Sequence, residues 1–230
     1  REASMMTDCH SHILPEMDDG SDSIEMSCSM LELLRQQGVE RSIATPHFYR
    51  HREKSVAAYL EKRQRQFAKL KAANPAVQNI FLGAEVAIEK GLSDTPDIEK
   101  LAIQGTDLIL LELPYAPYQE WMEEEIDNIA ITYRLTPVIA HVHRYLNWYN
   151  REQTAHLLQL DAVLQINIEA FQSFSQKRIA KEVIKRELPF LFGSDCHNLT
   201  DRKPNFEILQ KKVRPEIIEK SNRLLECHMQ

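Results

Sequence analysis

Two short segments near opposite ends of the chain, Asp8-Cys9-His10-Ser11-His12 and Ser194-Asp195-Cys196-His197, each place two metal-type ligands at i and i+2. On a strand, residues two apart face the same way, so either pair can aim both side chains at one ion. Together they suggest one site closed by both ends of the chain. Between them lie Asp19, His47, Glu85, Glu112 and His141, each beside an apolar run or a turn where a strand would end. That is enough ligand for more than one ion. Imidazole and carboxylate without a thiolate set suit Mn²⁺, Fe or Zn²⁺ and exclude a Cys-rich structural zinc site. A lone strand-end histidine is usually structural, but burying this many ionisable groups together without metal is costly, because desolvated charge needs a partner.

The elements that must position these residues alternate along the chain. Short β-like runs at Thr7 to His10, Val39 to Thr45, Asn79 to Val86, Asp107 to Leu113, Pro137 to Val142, Ala162 to Ile168 and Phe190 to Gly193 are separated by helical stretches. The helices are predicted over Ile24 to Gln37, Val56 to Ala73, Trp121 to Tyr133, Arg151 to Leu160 and Gln176 to Glu187. Such alternation favours a parallel sheet with crossover helices. His47, Glu112 and Asp195 each follow an apolar run, so polar chemistry appears at the carboxyl ends of strands. A barrel of parallel strands gathers those ends at one rim, where TIM-like enzymes keep their sites. With seven strands the barrel is irregular.

The chain has 230 residues with 43% hydrophobic content, which fits one barrel-sized domain over residues 6–230. Arg1 to Met5 add nothing to the pattern and are expected to be an appended remnant or a disordered start. No apolar run reaches membrane-spanning length and no secretory pattern opens the chain, so a cytoplasmic protein without membrane insertion is expected. The formal net charge of −6 argues against a nucleic-acid surface. The basic stretch from Arg50 to Lys71, interleaved with Glu53 and Glu61, is predicted to be a solvated helix face. Cys9, Cys28, Cys196 and Cys227 show no CxxC spacing and are expected to be free thiols. Cys9 and Cys196, lying between ligands, would face away from them as small core residues.

The motifs His10-Ser11-His12-Ile13-Leu14-Pro15, Asp18-Asp19-Gly20 and Ala44-Thr45-Pro46-His47 resemble the opening of the PHP (polymerase and histidinol phosphatase) superfamily. Gly83-Ala84-Glu85, Leu111-Glu112-Leu113-Pro114, Ile139-Ala140-His141 and Gly193-Ser194-Asp195-Cys196-His197-Asn198 follow in that superfamily's order. Within it the chain is most similar to the bacterial manganese-dependent protein-tyrosine phosphatases of capsule and exopolysaccharide loci. The resemblance implies a distorted TIM-like (β/α)₇ barrel with up to three metal ions, Mn²⁺ first and Fe or Zn²⁺ as alternatives in purified protein. It implies His10, His12, Asp19, His47, Glu85, Glu112, His141, Asp195 and His197 as ligands, one or both glutamates bridging. It also implies phosphate-binding roles for Arg144 and Arg202, and a guanidinium fork suits tetrahedral phosphoryl oxygens.

That resemblance points to hydrolysis of a phosphomonoester, with a hydroxide held between two ions attacking phosphorus in line with a leaving phenolate. The implied partner is a phosphotyrosine protein, the tail of a membrane-associated bacterial tyrosine kinase. Tyr115, Tyr118 and Trp121 are candidate aromatic contacts for its peptide. A small-molecule phosphatase of histidinol-phosphatase type is the alternative enzyme, and a catalytically silent metal-binding module the alternative of another class. The oligomeric state is left open. One departure from the family is His141-Val142-His143-Arg144, where His-Pro-Glu-Arg is common; His143 is then a residue behind the ligands, a substrate contact or an additional ligand at i+2. Cys196 to Arg202 satisfies the C-x₅-R spacing of cysteine-dependent tyrosine phosphatases. It lacks the glycine-containing loop that cradles phosphate there, so a thiol mechanism is disfavoured.

Overall fold

A computed structural model describes residues 6–74 and 79–229; the remnant or disordered start expected at 1–5 lies outside the described residues. Among the described residues nine strands pair in parallel: β1 (Met6–Ser11), β2 (Val39–Ala44), β3 (His47–Phe48), β4 (Ile80–Leu82), β5 (Glu85–Ala87), β6 (Leu108–Glu112), β7 (Thr136–Ile139), β8 (Val163–Asn167) and β9 (Phe190–Gly193). They run β1-β2-β4 in one ladder and β3-β5-β6-β7-β8-β9 in the other. β3 continues the line of β2 after Thr45-Pro46, and β5 continues β4 after Gly83-Ala84, so nine segments make the seven predicted strand positions. Leu108 and Leu110 join one apolar cluster while Ile109 and Leu111 join the other. Both faces are buried, so these strands read as unbroken apolar runs.

Among the described residues seven α-helices accompany the strands: α1 (Ile24–Gln36), α2 (Val56–Ala73), α3 (Glu120–Tyr133), α4 (Arg151–Leu157), α5 (Phe174–Lys185), α6 (Phe206–Lys212) and α7 (Pro215–His228). Local chemistry sets their starts. Ser23 and Ser55 accept hydrogen bonds from the backbone N–H groups of Met26 and Ala58, and Asn150 and Gln153 form a reciprocal capping box. The crossover from β5 to β6 carries only short 3₁₀ turns, Leu92–Asp94 and Ile98–Leu101, which distorts the (β/α)₇ plan. α6 and α7 were not anticipated. No described helix is long and apolar enough to cross a membrane.

The last strand meets the first at their carboxyl ends. Asp195 N donates to His10 O at 2.7 Å and His12 N donates to Cys196 O at 2.9 Å. Asp8, fully buried on β1, accepts from Ser194 N at 2.8 Å and Ser194 Oγ at 2.6 Å. Burial pushes the Asp8 carboxyl up to about 6 despite these bonds. The approach is close because Gly193 has no side chain: a Cβ there would stand 2.6 Å from His10 Cβ and 2.8 Å from His10 N. Gly193→Ala must therefore push β9 off β1 and is expected to cost about 1–3 kcal/mol, read as a lowered denaturation midpoint at unchanged slope. A midpoint within error of wild type would show that the seam has slack.

Candidate metal centre

The seam delivers both ligand pairs to one place. His10 and His12 leave β1 on the same face, and their Nε2 atoms lie 3.2 Å apart. His10 Nδ1 donates to Gln165 Oε1 at 3.1 Å, an oxygen identified as such because His141 N donates to it at 2.7 Å. His12 Nδ1 donates to Asp18 Oδ2 at 2.7 Å. With both Nδ1 atoms engaged as donors, the facing Nε2 atoms suit a cation between them; in metal-free protein a proton on His12 fills that place, because burial is outweighed by Asp18 and the neighbouring carboxylates, which push this imidazole well above its ordinary value. Glu85 Oε2 lies 3.1 Å from each Nε2, and Asp195 Oδ1 lies 3.4 Å from His10 and 3.3 Å from His12.

The remaining candidates surround this quartet. His47, first residue of β3, puts Nδ1 3.3 Å from Glu85 Oε2 and Nε2 3.6 Å from Asp19 Oδ1. His141 Nε2 is 2.8 Å from Glu85 Oε1 and 3.5 Å from Glu112 Oε1. His197 Nε2 is 3.5 Å from Asp19 Oδ1, while its Nδ1 donates to the Asp195 backbone carbonyl at 2.9 Å. All nine predicted metal residues thus converge. Eight of them have donor atoms in overlapping groups: His10, His12, Glu85 and Asp195; His12, Asp19, His47 and His197; and His47, Glu85 and Glu112; His141 meets the last of these through Glu85 and Glu112. Asp195 Oδ1, His197 Nε2 and His47 Nδ1 are buried yet make no hydrogen bond. Unpartnered buried nitrogen and oxygen donors, with no thiol among them, fit a divalent ion of the Mn²⁺, Fe or Zn²⁺ kind.

Two of the described non-glycine residues with left-handed backbone lie in the site. His141 (φ 31°) and Asp195 (φ 51°) both occupy the left-handed region, turning sharply off the ends of β7 and β9. That turn settles the question of His143. Residues 142–147 form a 3₁₀ helix, so His141 and His143 do not share a strand face, and His143 joins none of the donor groups. It is buried behind the site, 3.7 Å from Glu169, and burial pushes it down to about 4, hence neutral. The i+2 ligand idea fails because the strand has ended.

Arg144 and Arg202 both reach the site, held on one carboxylate oxygen. Asp195 Oδ2 takes Arg144 Nη1 at 2.7 Å, Arg202 Nη2 at 2.9 Å and Asn167 Nδ2 at 3.0 Å. Arg144 is also gripped by Glu169, whose Oε1 accepts from Nε at 2.9 Å. The two guanidiniums line one wall of a cavity of 760 Å³ whose floor includes Glu85, Glu112 and His141. Tyr115 lies near-parallel to the His141 ring at a centroid distance of 5.9 Å, and Tyr49 lies 5.1 Å from His47; both line the cavity. Tyr118 and Trp121 do not. Tyr118 bonds Glu123 and packs on Tyr149, and Trp121 stacks with Lys90, so these two aromatic candidates are corrected.

The thiols stay out of the chemistry. Cys196 is fully buried, and burial followed by the neighbouring Asp8 charge pushes it far above an ordinary thiol, the opposite of an activated nucleophile. Cys9, buried among Ile43 and Leu108, is shifted the same way.

Asp18, Gln165, Asn167 and Glu169 were not foreseen as site residues; Asp18 stood only as part of the Asp18-Asp19-Gly20 motif. Asp18 orients His12 and also accepts from His47 N at 2.7 Å, so one carboxylate fixes two candidate ligands. Gly20 lets that loop close, since a Cβ there would stand 2.4 Å from His12 Cβ. Asp18→Asn is expected to weaken metal retention about 10–100-fold in a chelator competition; unchanged retention would refute the orienting role. Burial opposes charging His141, yet Glu112 and Glu85 outweigh it and push the imidazole up to about 9. In metal-free protein it is therefore protonated at neutral pH. Metal uptake should release protons, with affinity rising with pH towards about 9, checked by calorimetry in buffers of different ionisation enthalpy.

The capsular polysaccharide synthesis CpsB/CapC family model matches residues 6–228. The tyrosine-protein phosphatase CpsB of Streptococcus pneumoniae is 30% identical over 228 residues, covering 90% of each chain. The tyrosine-protein phosphatase YwqE of Bacillus subtilis is 28% identical over 225 residues, covering 92% of this chain and 87% of that one. A solved structure from work on YwqE and CpsB, described as unique metal-dependent tyrosine phosphatases, superposes with a TM-score of 0.79. It is 25% identical and covers 97% of this chain and 94% of that one. The phosphotriesterase homology protein of Escherichia coli shares the fold alone, at a TM-score of 0.51 and 13% identity over all of this chain and 97% of that one. This chain belongs to the CpsB/CapC family of capsular polysaccharide synthesis.

Proposed function

We propose that the protein is a metal-dependent phosphomonoesterase that removes phosphate from tyrosine in proteins. The observation that carries this reading is the convergence of eight residues with nitrogen and oxygen donors, and of His141 against Glu85 and Glu112, at a cavity lined by two arginines. In this reading His10, His12, Glu85 and Asp195 would hold one ion, His47, Glu85 and Glu112 with His141 beside them a second, and His12, Asp19, His47 and His197 a third. Glu85 belongs to two of these groups, so its carboxylate would serve more than one ion. Mn²⁺ is the proposed resident ion, with Fe or Zn²⁺ acceptable to the same donors. When bound, such ions make a hydroxide nucleophile available near neutral pH and neutralise phosphoryl charge.

The chain's own side chains supply the rest. Arg144 and Arg202 orient the non-transferring phosphoryl oxygens from one wall while fixing Asp195. Tyr49 and Tyr115 border the space where an aryl ring must lie, and the mouth is open enough for a side chain presented on a peptide. A phenolate leaving group has a pKa near 10, so it departs with little acid assistance. The physiological substrate of this reading is the phosphotyrosine tail of a bacterial tyrosine kinase in capsule synthesis, acted on in the cytoplasm.

The test is hydrolysis of a phosphotyrosine peptide by protein of measured metal content. Chelation should abolish turnover, Mn²⁺ should restore it and thiol alkylation should spare it. Glu85→Gln should lower it by about a thousandfold, the worth of several kcal/mol of lost charge stabilisation. Activity that survives chelation but dies on alkylation would overturn the reading; a preference for histidinol phosphate over the peptide would move it to small-molecule substrates.

A further inference from the structure

The basic stretch from Arg50 to Lys71 reads in the sequence as a solvated helix face, and the structure corrects this at two points. α2 begins only at Val56, so Arg50 to Lys54 lie outside the helix. Within it Arg63 turns inward. It is 8% exposed, burial pushes its guanidinium down, and among the described residues it forms no ion pair with a carboxylate. A charge buried without a counter-ion is costly and needs a local reason.

The reason is a backbone carbonyl. Arg63 Nη1 donates to Gly83 O, in the Gly83-Ala84 break that separates β4 from β5 and delivers Glu85. One turn earlier, Tyr59 Oη donates to Pro46 O at 2.6 Å, in the Thr45-Pro46 break that delivers His47. Pro46 O also accepts from Glu85 N at 3.1 Å, so the Tyr59 hydroxyl fixes a carbonyl that serves two ligand-bearing segments. Lys62 Nζ donates to Met17 O at 2.8 Å, directly before Asp18 and Asp19. Tyr59, Lys62 and Arg63 stand at i, i+3 and i+4, on one side of the helix. Met17, Pro46 and Gly83 all lie outside the strands, where ladder hydrogen bonds do not fix the chain.

We propose that Tyr59, Lys62 and Arg63 are positioning residues of the metal centre, an inference that rests on the metal-dependent reading above. Through three main-chain carbonyls α2 acts as a splint that holds the turns presenting Asp19, His47 and Glu85 at the spacing a shared ion needs. None of the three side chains lines the metal cavity and none belongs to a donor group, so their effect passes through the backbone. His10, His12 and Asp195 are set independently, by the seam of β1 and β9.

The experiment titrates Mn²⁺ into the metal-free full chain, with free Mn²⁺ followed by electron paramagnetic resonance. Each variant is first shown folded by circular dichroism and its denaturation midpoint is measured. Arg63→Met keeps the length and removes the donor, and should weaken Mn²⁺ binding about tenfold. Arg63→Lys should recover most of that loss, because one carbonyl bond needs a donor and not a guanidinium fork. Tyr59→Phe, which keeps the ring against Phe48 and drops only the hydroxyl, and Lys62→Met should each weaken binding about threefold. Leu70, fully buried on the same helix, is the control: Leu70→Ala should lower the midpoint and leave Mn²⁺ affinity at the wild-type value. Should Arg63→Met not fold, Tyr59→Phe and Lys62→Met decide. Wild-type affinity in the variants that lose a donor, or affinity that falls in every variant in step with its midpoint, would overturn the splint alone. Wild type that binds no Mn²⁺ would remove the resident-ion reading and the splint with it.

Discussion

The approach of β9 to β1 is the constraint on which the site depends. Two ligand pairs from opposite ends of the chain can share an ion only if those strands are neighbours, and Gly193 against His10 sets how close they come. Asp8 then acts as a clasp, taking both the backbone and the hydroxyl of Ser194 from the opposite strand. Its carboxylate is buried, and the hydrogen bonds that compensate are the ones that fix the register of Asp195 against His10. The seam is thus held by polar chemistry at the rim, where TIM-like folds concentrate function, while apolar packing holds the strands below.

Asp195 shows how charge is balanced at that seam. Burial would raise its carboxyl, but His10, His12 and Arg144 more than offset this and hold it well below the usual range. Its two oxygens have separate duties: Oδ2 takes the guanidiniums of Arg144 and Arg202, and Oδ1 turns to the imidazoles without a hydrogen bond. Glu85 behaves alike, with burial overcome by His10, His12 and His141. The imidazoles and carboxylates therefore need each other in the absence of an ion, and a divalent cation would replace the protons that this mutual need retains.

Much of this was legible in the sequence where periodicity carried it. His10 with His12 can be read because a strand sends alternate residues one way, and the apolar runs before Glu112 and Asp195 mark strand ends. The failures have equally local causes. Asn79 to Val86 reads as one strand, but Gly83-Ala84 breaks it, and Glu85 starts β5 instead of ending the run. His143 looked like a second i+2 ligand until His141 turned left-handed. Gln165, Asn167 and Glu169 do carry a signal, polar residues at i, i+2 and i+4 in an otherwise apolar run that starts in β8, whereas Asp18 carries none beyond its motif, because it acts on His12 and His47 from another part of the chain. Tyr118 and Trp121 lie close in sequence to Tyr115, yet only Tyr115 precedes the turn that carries the chain away from the cavity.

The arginines make the strongest case that the site is shaped for an anion and not only for metal. Fixing Asp195 accounts for part of their presence, but two guanidiniums at the edge of an ion cluster also oppose the cation it must hold. Their presence makes sense if the centre must accept further negative charge from outside. Glu169 supports the same view: its carboxylate, bonded to Arg144 and outside the donor groups, keeps the fork in place without adding a donor to the cluster. Donors below, guanidiniums at one wall and aromatic rings at the border divide the cavity by chemistry. That division matches a phosphate ester with an aromatic leaving group, whose charged and apolar ends must be received separately.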